Sequence, residues 1–209
     1  MSRTATVPGW IDPVFRYTTA AVTAWFAYRI VKAYLVDPSR LILIIVLLSE
    51  LISLIAIILS RKPTIRDTNP AYAVLTVLAS FIVPLFISVD KHAALIPERL
   101  GEIISLIGIA WTIYAKVSLG RSFGLLAAKR VVKIRGAYRF VRHPIYIGYF
   151  VVDIAFLFAN FNSGNLLVFV SRYGMQVMRA LREEQILSTD EAYRDYCKRT
   201  RYRFVYGLF

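Results

Sequence analysis

The chain has 209 residues, of which 57% are hydrophobic and only 19% charged, with a mean hydropathy of +0.56. These values exclude a disordered chain, which combines low hydrophobicity with high net charge, and the long unbroken apolar runs argue against a soluble globule. The net charge of +13 fits a membrane protein better than a nucleic-acid binder, because the cations flank apolar runs, and the one cysteine, Cys197, excludes a disulfide framework or Cys-rich zinc site.

A bilayer core requires about 20 mostly apolar residues as helix. The opening Met1 to Pro13 has no apolar core and reads as neither signal nor transit peptide. Residues 14–36 hold Arg16, Arg29 and Lys32, so two readings stand: a span whose cations snorkel, or an amphipathic helix at the interface. Residues 41–60 read as a clean span, as do 71–89, with Pro84 as an expected kink, and 100–118. Residues 144–160 form a shorter span. Residues 165–182 start apolar and then carry Arg172, Gln176, Arg179 and Arg182. The turn-rich 160–165 joins these last two into a helical hairpin. The expected fold is therefore all-α, an integral membrane bundle of five or six transmembrane helices closed by a C-terminal hairpin.

Orientation follows from charge. Between Glu102 and Asp153 there is no acidic residue, while Lys116, Arg121, Lys129, Arg130, Lys133, Arg135, Arg139 and Arg142 are all cationic. This loop is expected in the cytoplasm. Alternation puts the 61–66 loop and the C-terminal tail on the same side, and the 90–99 and 160–165 loops outside.

Two clusters carry chemistry. In Arg142-His143-Pro144-Ile145-Tyr146-Ile147-Gly148-Tyr149, Pro144 suits the first turn of a helix. His143 then sits at a helix N-terminus, where free N–H groups favour an anionic group. Gly148 permits close approach of a ligand or a second helix. The same residues also suit a headgroup-level anchor, and the stretch alone does not separate the two. The second cluster is Arg172, Arg179, Glu183 and Glu184. Arg172, Arg179 and Glu183 share one helix face. Either they line a polar cavity open to the cytoplasm or they form an ordinary ion pair at a helix end.

Together the run Gly136 to Gly148, then Arg179 to Leu187 with its Glu183-Glu184 pair, then Tyr193 and Tyr196, resembles the isoprenylcysteine carboxyl methyltransferase family. Membrane phospholipid methyltransferases share part of this pattern. The resemblance covers about residues 100–203. It divides the chain into N-terminal membrane helices (1–99) and a methyltransferase core (100–209).

The resemblance implies that S-adenosyl-L-methionine is bound from the cytoplasm between the hairpin and the C-terminal segment. By position, the cofactor-binding residues are Arg130, Val131, Val132, Lys133, Tyr138, His143, Pro144, Ile145, Tyr146 and Glu183. Arg179 is assigned to the substrate. Where the family carries a glutamine before the loop, Phe123 stands here. The acceptor is expected to be lipophilic and membrane-embedded, with no metal or nucleic acid involved. A carboxylate acceptor is already ionised at neutral pH and needs only orientation by Arg179. An amine or thiol acceptor needs a base, for which Glu184 is the candidate. The rivals are a phospholipid N-methyltransferase, a small-thiol S-methyltransferase and, from another class, a small transporter using Glu50 and Asp153 as an ion path.

Glu50, flanked by Ser49 and followed by Ser53, lies in mid-span. It is either functional or hydrogen-bonded to another helix, with Asp153 as a possible partner. The tail from Tyr193 to Phe209 alternates cations with aromatics and reads as a lid on the membrane surface.

Overall fold

The computed structural model describes residues 4–5, 11–59, 65–67, 70–90, 92–120, 128–129, 134–205 and 207. Six long helices carry the architecture: α1 (Ile11–Val36), α2 (Leu41–Ile58), α3 (Pro70–Phe86), α4 (Glu98–Leu119), α5 (Pro144–Ala159) and α6 (Ser163–Leu187). A short α7 (Glu191–Arg199) follows, and a 3₁₀ turn at Gly136–Arg139 precedes α5. The expectation of an all-α fold describes every long element. The departure from it is a small antiparallel sheet, in the order β1 (Thr4–Ala5), β2 (Ile65–Asp67), β3 (Ala128–Lys129), which pairs Thr4 with Asp67 and Ile65 with Lys129.

The helices run back and forth between two ends. At one end Arg40, ahead of α2, donates to the carbonyl of Val89 (2.9 Å) and to Asn160 after α5 (3.2 Å). Asn165, near the start of α6, binds both main-chain groups of Ser88 (2.8 and 3.1 Å). At the other end Ser118, in the last turn of α4, accepts from the N–H of Ala137 (3.2 Å). Gly136 adopts φ +62° there, and a Cβ on it would stand 2.2 Å from Ser118 Oγ, so glycine is required.

The tightest helix pair is α4 against α5. Small buried residues recur on α4 at Gly101, Ser105, Gly108, Thr112 and Ala115, a 4-3-4-3 spacing that keeps one narrow face toward the partner. They meet Ile145, Gly148, Val152 and Ala155 of α5. A Cβ on Gly148 would lie 2.1 Å from Thr112 Oγ1 and 3.0 Å from the carbonyl of Gly108. Of the two partners the sequence allowed for Gly148, this is the second helix.

The apolar core joins all six long helices through Phe26, Ile30, Leu43, Val46, Val83, Ile87, Ile109, Val152, Phe156 and Phe169. The outer faces are apolar as well: Val117 is 73% exposed, Leu167 67% and Ile107 62%. Exposed apolar belts on several helices mark an interaction surface. Among the described residues, α2 and α4 are long and apolar enough to cross a membrane by length and composition, and Val74–Phe86 and Pro144–Ala159 are shorter apolar helices. Charged residues dilute α1 and α6. One of them, Arg29, turns inward instead of snorkelling: its guanidinium donates to the carbonyls of Pro84 (3.3 Å), Leu85 (3.3 Å) and Ile87 (2.5 Å), capping the C-terminus of α3.

Candidate active site

His143 caps α5 and Pro144 fills its first turn, as the sequence predicts. The N–H groups ahead of the helix do not wait for an anion, however. Arg142 N–H donates to the carbonyl of Tyr202 and His143 N–H to that of Arg203, both at 2.9 Å. The C-terminal segment thus takes the N–H groups of the two residues ahead of α5. Trp111 of α4 fixes the first turn of α5 through its indole N–H to the Pro144 carbonyl (2.9 Å), and Ile145 packs with Ala115 and Ala137.

Three rings gather at this point. His143 and Tyr146 are parallel within 1°, with centroids 5.5 Å apart. Phe204 from the tail lies 5.4 Å from His143 and 6.1 Å from Tyr146. Arg179 from the end of α6 stands over Tyr146, 5.8 Å from the ring centroid, a cation–π contact. Tyr146 therefore links the residue expected at the cofactor to the one expected at the substrate.

The two neighbouring glutamates differ. The charge of Glu183 acts on Tyr138, Tyr146 and Tyr193. Burial, and then Glu183, push the Tyr138 phenol well above its ordinary value, leaving a neutral hydroxyl. Tyr196 of α7 anchors this region by donating to the Tyr138 carbonyl (2.7 Å). Glu184 instead sits between two arginines and a histidine. Its Oε1 meets Arg142 Nε at 3.0 Å and His143 Nε2 at 3.2 Å, and its Oε2 accepts from Arg203 Nε at 2.9 Å. Burial pushes its carboxyl up, but these hydrogen bonds and charges prevail and hold it below its ordinary value of 4.5.

On the far side of Arg179 a cleft of about 660 Å³, counting the space open to solvent, runs between α1, α2, α3, α5 and α6. Glu50, Ser53, Tyr149, Arg172, Gln176 and Arg179 line its polar part, and Val22, Leu54, Ile57 and Phe81 its apolar part. The charges behind it are paired. Arg172 meets Asp153 at 3.3 Å, and Tyr173 also donates to that carboxylate. Lys116 donates to Ser53 Oγ (2.9 Å), which lies 3.1 Å from the Tyr149 hydroxyl. Glu50 is within electrostatic reach of Arg172, Asp153 and Lys116. Arg172 lies within that reach and pairs with Asp153.

The fold brings together Tyr138, His143, Pro144, Ile145, Tyr146, Arg179, Glu183 and Glu184, which lie up to 46 positions apart in the chain. Arg130, Val131, Val132, Lys133 and Phe123 lie outside the described residues. Sequence reasoning missed Ser53, Lys116 and Phe204 as parts of this region. Lys116 registered only as loop charge, and Phe204 only as one of several tail aromatics.

Residues 102–189, from the second turn of α4 to just past the end of α6, match the isoprenylcysteine carboxyl methyltransferase (ICMT) family. The matched stretch contains the hairpin, both glutamates, Arg179 and the ring pair His143–Tyr146. No curated protein matches the chain.

Proposed function

We propose that this protein is an integral membrane methyltransferase that uses S-adenosyl-L-methionine to methylate the carboxylate of a lipophilic acceptor. The observation that carries the reading is the position of Tyr146, with His143 stacked against it and Arg179 over its ring. The residues fit a sulfonium cofactor: aromatic faces and one nearby carboxylate, Glu183, attract a cation. When bound, that cofactor supplies an electrophilic methyl group for in-line displacement.

The chain's own residues then have distinct roles. Tyr138, His143, Tyr146 and Glu183 hold and orient the cofactor. Arg179 grips the acceptor carboxylate and aims one oxygen along the line of attack. The cleft beyond Arg179, lined by both charged and apolar side chains, receives an acceptor with a charged head and a greasy body. A carboxylate acceptor requires no base. The surroundings of Glu184 favour this choice over an amine or thiol, because a carboxylate held by Arg142, His143 and Arg203 is a poor proton acceptor. Against the transporter reading stand Lys116 and Arg172, fixed cations among the two acids that would form its path.

Six helices with alternating ends and apolar outer faces support six spans, with both termini on one side. The rings, Arg135, Arg139, Lys198 and Arg199 belong to the same end, and this clustering of cations supports an active site that faces the cytoplasm. The test is to incubate membranes containing the protein with methyl-labelled cofactor and identify the product. Base-labile label in a lipid fraction is expected. Base-stable label overturns the carboxylate assignment, and absence of both label and cofactor binding overturns the enzyme.

A further inference from the structure

The carboxylate of Glu184 joins three parts of the chain that are remote in sequence. Arg142 and His143 share its Oε1 at 3.0 and 3.2 Å, and Arg203 takes Oε2 at 2.9 Å. The side chain is only 12% exposed, so water does not compete freely for these bonds. The main chain repeats the connection, with the carbonyls of residues 202 and 203 accepting from the N–H groups of Arg142 and His143. The next residue, Phe204, lays its ring against His143 and Tyr146. A lone tail on a membrane surface needs none of this. Side-chain bolts, main-chain bonds and a ring contact all bear on the residues expected to hold the cofactor.

We propose that residues 200–205 are a strap that completes the cofactor wall, with Phe204 as its third ring and Glu184 as the buckle that fastens it through Arg203. The proposal rests on the methyltransferase reading and adds to it two residues that the family pattern does not assign. Phe204 meets the bound sulfonium nucleoside or the rings that hold it. Arg203 and Glu184 are positioning residues, acting through the strap. In this role Glu184 is structural, and the proton chemistry first considered for it is not used.

The experiment uses full-length protein in detergent or nanodiscs, with S-adenosyl-L-methionine as titrant and calorimetric binding as the readout. Phe204→Ala and Arg203→Ala are expected to weaken binding about tenfold, the scale of one lost aromatic or charge-assisted contact. Phe204→Tyr restores it, and Lys198→Ala, altering an exposed pair with Asp195, leaves it unchanged. In the cofactor-free protein, Arg203→Ala and Glu184→Gln raise amide exchange in 200–205 while exchange in α4 stays as in wild type. Wild-type affinity in both Phe204→Ala and Arg203→Ala overturns the strap. If the wild-type protein itself binds no sulfonium nucleoside, the enzyme reading falls and the strap with it, a result distinct from the first.

Discussion

The guanidinium of Arg179 lies over the ring of Tyr146, 5.8 Å from its centroid. This contact ties the C-terminal half of α6 to the start of α5, and it sets a cation of the cleft against the ring wall. Replacing Arg179 by Ala is expected to lower kcat/KM for the acceptor about hundredfold, equivalent to ~2.7 kcal/mol of transition-state stabilisation. Cofactor affinity stays within a few-fold of wild type. Steady-state kinetics with both substrates varied, together with direct cofactor titration, checks the split. Equal losses in both would remove Arg179 from the acceptor side.

The charge of Glu183 acts on Tyr138 and Tyr146, whereas Glu184 is held by Arg142, His143 and Arg203. Glu183→Gln removes a charge next to the proposed cofactor and should weaken binding of the cationic sulfonium more than that of its neutral thioether product. Competitive titration of the two nucleosides measures this ratio. A parallel loss for both would mean that charge is not what Glu183 contributes.

Arg172 and Asp153 are both buried, at 6% and 7% exposure, and face each other at 3.3 Å. Asp153→Ala leaves a buried cation without its main partner and is expected to cost about 3–5 kcal/mol. The double variant Asp153→Ala with Arg172→Met should recover much of that loss, since an apolar pair carries no desolvation penalty. Thermal unfolding in detergent reports both. A double variant no better than the single one would show that the network acts in some way other than charge pairing.

Gly148→Ala forces a methyl group onto Thr112 Oγ1 and the Gly108 carbonyl. Overpacking of this kind costs about 1–3 kcal/mol, read as a lower unfolding temperature. Adding Thr112→Ala removes the nearest clash, at 2.1 Å, but leaves the backbone contacts at 3.0 Å, so rescue is partial. Full wild-type stability in the single variant would contradict the close approach of α4 and α5.

The carboxyl of Glu184 is held below its ordinary value of 4.5, because hydrogen bonds from His143 and Arg203 and the charge of Arg142 outweigh burial. A group depressed on folding adds stability that is present above its unfolded value and is lost as pH falls through the folded one. The stability gap between wild type and Glu184→Gln is therefore widest near neutrality and closes below pH 4.5. Unfolding curves of both proteins from neutral to acid pH test this. A gap that widens toward acid would reverse the sign of the interaction.

The helices and the composition of the site were legible in the sequence, because both are local matters. Apolar runs of fixed length predicted α2, α3 and α4 close to their observed bounds, and the turn at 160–165 predicted the α5–α6 hairpin. Pro144 marked the start of α5 because its missing N–H costs nothing there. Arg179 and Glu183, four apart, had to share a helix face. The tertiary structure alone decided which groups meet across long separations. Nothing local in the tail says that Phe204 will reach His143, that Tyr202 and Arg203 will fill the N–H groups ahead of α5, or that Arg29 will cap α3. Those choices depend on how whole helices pack, and a helix fixes its own periodicity but not the partner against which its polar groups are satisfied. For the same reason two adjacent glutamates of identical chemistry separate: the charge of Glu183 acts on the tyrosines, and Glu184 closes on Arg142 and His143 ahead of α5 and on Arg203 of the tail.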